Sequence, residues 1–327
     1  MLISKKTIKK LIREEVVKVL NNNSNPLRIS ENKEQFIKAY PQAAVPSFDK
    51  QVQSDIISVV KKVKTNIIKQ YLSTQRKESF VRFIKSMPRF KNEKREDILE
   101  KFDYIRSLVL QVIEKVPVQS INDGVHSQKV YDNFLRSGPG RAAGMYDYEA
   151  KGVGKIIINP YHKSLMGFNG LNLSKLETVI KEEIYHAIDL NLSMKGKIGL
   201  IPIGDLQKGM ADRKGIFLTP EESKADFRTY QYLTNPQEFY AKMLLLKDLV
   251  AEKYPEKIDQ TGKIDNSFLK FLIKNAQKGQ RARMGIFDDD GTSLDVLLVL
   301  DPTRIQQIQS FFDLLSKKAD KPSRRRA

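Results

Sequence analysis

The apolar residues between positions 172 and 192 recur every three to four residues, which is the period of an α-helix with one buried face. This predicted apolar face consists of Leu176, Val179, Ile180, Ala187 and Ile188. Ser174 and Glu177 have the spacing of a capping box, in which each side chain bonds a backbone amide of the first helical turn. We therefore predict a helix that starts at Ser174.

Helical periodicity also covers the N-terminal third of the chain. Residues 1–23 are predicted to form a basic amphipathic helix, and the polar stretch 24–47 is predicted to be a linker. Two further periodic stretches within residues 48–115 predict a helical subdomain. The remaining predicted segments are a core at 116–260, a C-terminal extension of helix and strand at 261–317, and a basic disordered tail at 318–327.

The predicted core mixes strand and helix patterns. Residues 142–150, a glycine at 152 and the apolar, β-branched stretch 155–160 together predict a β-hairpin whose second strand is buried. Asn235 followed by Pro236 is typical of the start of a helix, and this predicted helix carries Glu238 in its first turn. The order of these elements predicts an α+β fold.

The helix at 172–192 also carries a recognisable polar pattern. Glu182 and His186 are four residues apart and therefore project from the same helix face, with Glu183 beside them. This EExxH sequence resembles the HExxH metal motif of zincin metallopeptidases, with the first histidine replaced by glutamate. Residues 235–242 resemble the third-ligand helix of glutamate-type zincins, namely lethal-factor-like toxin proteases and phage-encoded zincin-like proteins.

The resemblance covers roughly residues 116–255 and implies a zincin-like core, made of a small mixed sheet, a metal helix and a third-ligand helix. The implied metal ligands are Glu182, His186 and Glu238. By the same resemblance, Glu183 corresponds to the general base, and Tyr230 or Tyr232 corresponds to a tyrosine that stabilises the oxyanion.

The glutamate at the first ligand position changes the expected chemistry. Zinc accepts carboxylate oxygen, but two carboxylates and one imidazole favour harder ions such as manganese or magnesium. They also reduce the net positive charge that acidifies a bound water, so we expect a weaker Lewis acid than a two-histidine site. We therefore expect a catalytically silent zincin-like domain, and the alternative is an active metal-dependent endopeptidase or effector toxin.

Each residue of the motif also has an explanation without a metal. Glu238 has the spacing from Asn235 that a capping box requires, and His186 has the alternative role of a hydrogen-bonded core histidine. Glu183 and His186 further match the ExxH spacing of di-iron bundles, but neither His126 nor His162 follows a glutamate by three residues. His162 follows the apolar strand, where it can reach the rim of the predicted cleft; the alternative is an ordinary histidine of a surface loop.

Composition narrows the class of protein. The 327 residues include no cysteine, which excludes disulfides, thiolate metal sites and cysteine nucleophiles. No apolar run approaches membrane-spanning length, and the N-terminus lacks the features of a secretory signal. A formal net charge of +18 favours polyanions, so we expect non-specific contact with nucleic acid; the alternative is a basic surface that maintains solubility.

The lysine-rich first twenty residues resemble the N-terminal segments of many proteins of large tailed phages. In that setting a leading helix directs a protein into the assembling head, so we expect other virion proteins as partners of this segment. A membrane-surface helix, a helix that binds another partner and an ordinary docked helix are the alternatives. We therefore expect a phage-type virion-associated protein, located in the virion or in host cytoplasm.

Overall fold

The computed structural model describes residues 26–71, 77–123, 126–135, 143–148, 151–167, 170–206, 209, 215–259, 263–279 and 294–309. The predicted N-terminal helix at 1–23 and the predicted basic tail at 318–327 lie outside these residues. The described chain is an α+β structure in which helices predominate and the sheets are small, so the predicted fold class is confirmed at this level.

The helices are α1 (Pro26–Ala39), α2 (Pro46–Tyr71), α3 (Lys77–Lys85), α4 (Arg95–Lys115), α5 (Gln128–Leu135), α6 (Leu173–Met194), α7 (Phe227–Thr234), α8 (Pro236–Lys253), α9 (Asn266–Gln277) and α10 (Ile305–Gln309). Short 3₁₀ turns occupy Pro41–Ala44, Pro88–Phe90, Pro255–Lys257 and Asp295–Leu298. None of the described helices is long and apolar enough to cross a membrane.

The strands are β1 (Val118–Ser120), β2 (Gly144–Asp147), β3 (Lys155–Ile158), β4 (Met166–Gly167), β5 (Gly170–Leu171), β6 (Lys197–Ile198) and β7 (Ile201–Pro202). In the largest sheet β3 lies in the middle, parallel to β1 and antiparallel to β2. The hairpin predicted from the sequence is therefore present as β2 and β3. Gly154 in its turn has a φ of +70°, and a Cβ there would lie 2.5 Å from the Asp147 carbonyl oxygen. Only glycine fits this turn.

Helix α6 lies at the centre of the fold and packs against α2, α4, α8 and the strands β2 and β3. Its apolar face is buried as predicted at Leu176, Ile180, Ala187 and Ile188, whereas Val179 is only partly buried. The predicted capping box is wrong. The Asn172 side chain caps the helix by accepting from the Lys175 amide at 3.1 Å, and Glu177 instead pairs with lysines. A side chain one residue before the helix competes better for its free amides.

The predicted linker at 24–47 is also wrong over most of its length, because α1 occupies residues 26–39. Phe36 is fully buried, and its ring lies 4.8 Å from that of Tyr40, 6.1 Å from that of Tyr131 and 6.2 Å from that of Tyr161. Two aromatic rings one helical turn apart therefore attach this polar segment to α5 and to the end of β3. The polar composition of residues 24–47 predicted a linker because it gave no weight to these two aromatic residues.

One hydrophobic core joins the N-terminal helices α2, α3 and α4 to the sheet, to α6 and to one face of α8. A second core lies on the opposite face of α8, where α9 and residues 294–308 pack. In the predicted C-terminal extension of helix and strand, the strand-like apolar run from Leu294 to Leu300 forms a 3₁₀ turn instead. Within the described residues it has one bridge, from Leu300 to Phe217. Helix α8 thus lies between the two cores and is held in place from both sides.

Candidate functional site

The candidate site lies where α6 and α8 pack against each other. Glu182 and His186 project from one face of α6, and Glu238 comes from the first turn of α8. The start of α8 is the predicted one, because Asn235 accepts from the Gln237 amide at 3.0 Å and Pro236 is the first helical residue. Glu238 is therefore aimed at α6 by the helix start that the sequence encodes.

The three side chains converge in space. His186 Nε2 lies 3.4 Å from Glu238 Oε2 and 4.0 Å from Glu182 Oε1. One ligand atom from each of the three residues lies within 4.8 Å of the other two, so this group can hold a metal ion. Glu238 is not part of a capping box, since its carboxylate faces the imidazole. We call these three residues the carboxylate–histidine cluster.

Lys242 is a fourth member of the site that sequence reasoning missed. Its Nζ lies 2.6 Å from Glu182 Oε1, and the side chain is only 5% exposed. The ammonium also lies 6.0 Å from the centre of the Tyr232 ring. Lys242 is one helical turn after Glu238, so the i, i+4 spacing on α8 was a signal that could have revealed it.

The structure separates the two candidate tyrosines. Tyr232 interacts with the Glu238 carboxylate, and burial together with the surrounding carboxylates raises the pKa of its hydroxyl. Tyr230 instead donates a hydrogen bond to the Leu218 carbonyl at 2.7 Å. Tyr232 is therefore the tyrosine that lies at the cluster, and Tyr230 stabilises the loop before α7.

Glu183 is buried between α6 and the edge strand β2. A Cβ at Gly144 of that strand would lie 3.0 Å from Glu183 Cγ and 3.1 Å from its Oε1, so the backbone and the carboxyl group are in close contact. Burial, reinforced by the charges of Glu182 and Glu238, raises the pKa of Glu183 to about 8. A carboxyl group that exchanges its proton near neutral pH is suited to general base chemistry.

The same charges act on His186 and Glu238. Burial opposes the charged imidazole, but contact with Glu238 and the neighbouring carboxylates outweigh it and raise the pKa of His186 to about 9. Against the effect of its own burial, contact with His186 keeps the pKa of Glu238 below its ordinary value. Binding of a metal would therefore require release of the His186 proton.

The cluster fits a divalent cation in most respects. Glu238 Oε2 is a buried atom that accepts no aligned hydrogen bond within the described structure. The separations of 3.4 and 4.0 Å also suit ligand atoms that share one ion at about 2.0–2.2 Å. Lys242 does not fit a metal site, because its ammonium already occupies an oxygen of Glu182.

The other histidines lie elsewhere. His162 Nδ1 is 2.6 Å from Ser164 Oγ, and His126 is buried near Asp123 and Lys155. Within the part of the chain that the structure describes, the carboxylate–histidine cluster is the one group of three or more such side chains that could hold a metal. A second group of this size, to hold the other iron of a di-iron site, is therefore not found among these residues.

No protein-family model, no curated protein and no solved structure matches this chain. Any functional conclusion therefore depends on the geometry and chemistry of the cluster and its surroundings.

Proposed function

We propose that the described core is a zincin-like metallopeptidase domain that is catalytically silent, carried by a phage-type virion-associated protein. One observation carries the first part of this proposal. Glu182 and His186 from one helix and Glu238 from a second helix place three ligand atoms within 4.8 Å of one another. A pair of helices with these residues beside a mixed sheet is the arrangement that the EExxH resemblance implies.

The residues around the cluster correspond to the parts that peptide hydrolysis needs. Strand β2 is an edge strand of the described sheet, so an extended peptide can pair with it next to Glu183. Glu183 is the group that can take a proton from water, and the Tyr232 hydroxyl faces the same space. A divalent ion held by the cluster would polarise the substrate carbonyl and acidify a water.

Two features favour a silent domain. Glu182 supplies an anionic oxygen where the zincin motif has a neutral imidazole, which weakens the Lewis acidity of any bound ion. Lys242 further occupies that oxygen at 2.6 Å. The domain then retains the architecture of a peptidase and lacks its reactivity.

Metal analysis combined with a peptide-cleavage assay tests this proposal. We expect the purified protein, supplied with zinc, manganese or magnesium, to leave a mixed peptide library intact. Glu183→Gln should therefore behave as the wild-type protein does. The matched control is Glu177→Gln, which changes a glutamate on the same helix outside the cluster. Cleavage by the wild-type protein that Glu183→Gln abolishes and Glu177→Gln preserves would show an active enzyme.

That outcome would establish the second candidate function, an active metal-dependent endopeptidase or effector toxin. The observation that favours it is Glu183, whose pKa of about 8 leaves a useful fraction of free carboxylate at neutral pH. Its contact with the edge strand places this base beside the backbone of a peptide bound there. The cleavage assay distinguishes the two candidates directly.

The proposed virion setting is supported by charge. A formal net charge of +18 suits a protein that lies against packaged nucleic acid, bound through its phosphates without base recognition. We expect DNA affinity measured by fluorescence anisotropy to fall steeply between about 50 and 200 mM salt. An affinity that does not respond to salt would contradict nucleic-acid contact.

The proposed role of the N-terminal segment is tested by deletion of residues 1–23. Loss of virion incorporation in this variant would identify the segment as the assembly element.

A further inference from the structure

Lys242 places a buried ammonium beside the carboxylate–histidine cluster. Its side chain is 5% exposed, and its Nζ contacts Glu182 Oε1 at 2.6 Å. Glu182 is in turn 4.0 Å from His186, so the ammonium lies at the edge of the space that a metal ion would occupy. Lysine is rarely buried to this extent without a partner that compensates its charge.

We propose that Lys242 is a built-in cation that excludes divalent metal from the carboxylate–histidine cluster by occupying Glu182. This inference deepens the proposed function, since it names what controls the access of metal to the same site. Glu182 Oε1 can serve either the ammonium or a metal ion, and the two cations would repel each other strongly at such short range in a buried site. The wild-type cluster is then held together without a metal.

The surroundings of Lys242 keep the ammonium in place. Its position one turn after Glu238 on α8 directs it toward α6, and the face of the Tyr232 ring lies 6.0 Å away, where a cation is favoured. Helix α8 is packed between two hydrophobic cores, so a shift of the helix that would withdraw the lysine is costly. The backbone that carries Lys242 is therefore fixed, and a metal would have to displace the ammonium by moving the side chain within its buried surroundings.

Removal of the charge tests the proposal. We would compare wild-type protein with Lys242→Met, which keeps the length of the side chain and removes its ammonium. The control is Lys62→Met, since Lys62 contacts Glu177 of the same helix at the same distance of 2.6 Å and lies outside the cluster. Zinc and manganese binding would be measured by titration calorimetry and by metal content after dialysis.

We expect Lys242→Met to bind one equivalent of zinc or manganese at least about tenfold more tightly than the wild-type protein, and Lys62→Met to bind as the wild-type does. Lys242→Arg keeps the cation and should remain metal-poor. Equal affinities of the wild-type protein and Lys242→Met would overturn the proposal, whether both bind metal tightly or neither does. Cleavage of peptides by the wild-type protein bears separately on the silent-domain proposal.

Instability of Lys242→Met without metal does not prevent the test, because the metal should then restore its fold. Refolding with zinc or manganese, followed by circular dichroism and melting temperature, should recover a structured protein that chelation unfolds. Lys242→Gln, which retains a polar group, serves as the second variant. Failure of both variants to gain stability from either metal would contradict the proposal.

Discussion

Helix α6 supplies the glutamates of two glutamate–lysine pairs that have the same contact distance and different surroundings. Glu177 contacts Lys62 and Glu182 contacts Lys242, each at 2.6 Å. The two glutamates are similarly exposed, at 16% and 13%, but Lys62 is 63% exposed and Lys242 only 5%. The outer pair is an ordinary surface ion pair. The inner pair is withdrawn from water. Removal of its lysine should therefore affect stability more than removal of Lys62, although the contact distance is the same.

The largest expected difference between the two pairs is in stability. Lys242→Met leaves the Glu182 carboxylate in a buried site without its ammonium, which should lower the free energy of unfolding by about 3–5 kcal/mol in the absence of metal. Lys62→Met removes an exposed lysine and should cost less than about 1 kcal/mol. Urea unfolding of both variants in the presence of a chelator measures the difference. Equal losses would mean that burial does not distinguish the pairs.

The second largest expected difference between the surroundings of the two pairs is in how stability depends on pH. Near the inner pair, the pKa of Glu183 is raised to about 8 and that of His186 to about 9. The folded protein therefore holds protons that the unfolded chain has released, and stability must fall as pH rises. The loss should begin above about pH 4.5, be steepest between about 6.5 and 8, and amount to several kcal/mol by about pH 9.

The outer glutamate should behave in the opposite sense. Against the effect of burial, Lys62 and Lys181 lower the pKa of Glu177, so its contribution is present above the ordinary glutamate pKa and is lost on acidification. Unfolding curves across pH for Glu183→Gln and Glu177→Gln separate the two contributions. Glu183→Gln should flatten the alkaline loss, and an unchanged slope in that variant would show that Glu183 is not its source.

A smaller effect on stability is expected from a substitution in strand β2, which packs against Glu183. A Cβ at Gly144 would lie 2.7 Å from Val179 Cγ1 as well as against Glu183, so Gly144→Ala should cost about 1–3 kcal/mol through overpacking. Gly209→Ala is the control, because nothing lies within 4 Å of a Cβ there. Thermal unfolding of both variants is the measurement. An unchanged stability of Gly144→Ala would mean that β2 is not packed closely against Val179 and Glu183 of α6.

The smallest expected effects distinguish the two tyrosines. Tyr232→Phe removes a hydroxyl that interacts with Glu238, and Tyr230→Phe removes the hydrogen bond to Leu218. Each should cost about 0.5–1.5 kcal/mol in stability. Only Tyr232→Phe should also shift the pKa values of the cluster, as followed by the NMR titration of His186. A shift of similar size in Tyr230→Phe would place both tyrosines in the electrostatic network.

Much of the local structure around the site could be predicted from the sequence. The apolar face of α6, the hairpin of β2 and β3 and the start of α8 at Asn235 and Pro236 are encoded within a few residues of where they form. The wrong predictions have long-range causes. Helix α1 depends on contacts of Phe36 with rings about 95 and 125 residues away. The run at 294–300 folds into a 3₁₀ turn, and its bridge within the described residues is to Phe217.

The sequence by itself determined that Glu182 and His186 share one helix face and that Glu238 lies in the first turn of another helix, because capping and helical periodicity are local. Only the tertiary structure decided that the two helices meet, that Tyr232 and not Tyr230 faces the cluster, and that Lys242 contacts Glu182. Those outcomes depend on how α8 is held between two hydrophobic cores. That packing depends on many contacts between residues far apart in the sequence, which no short stretch of sequence contains.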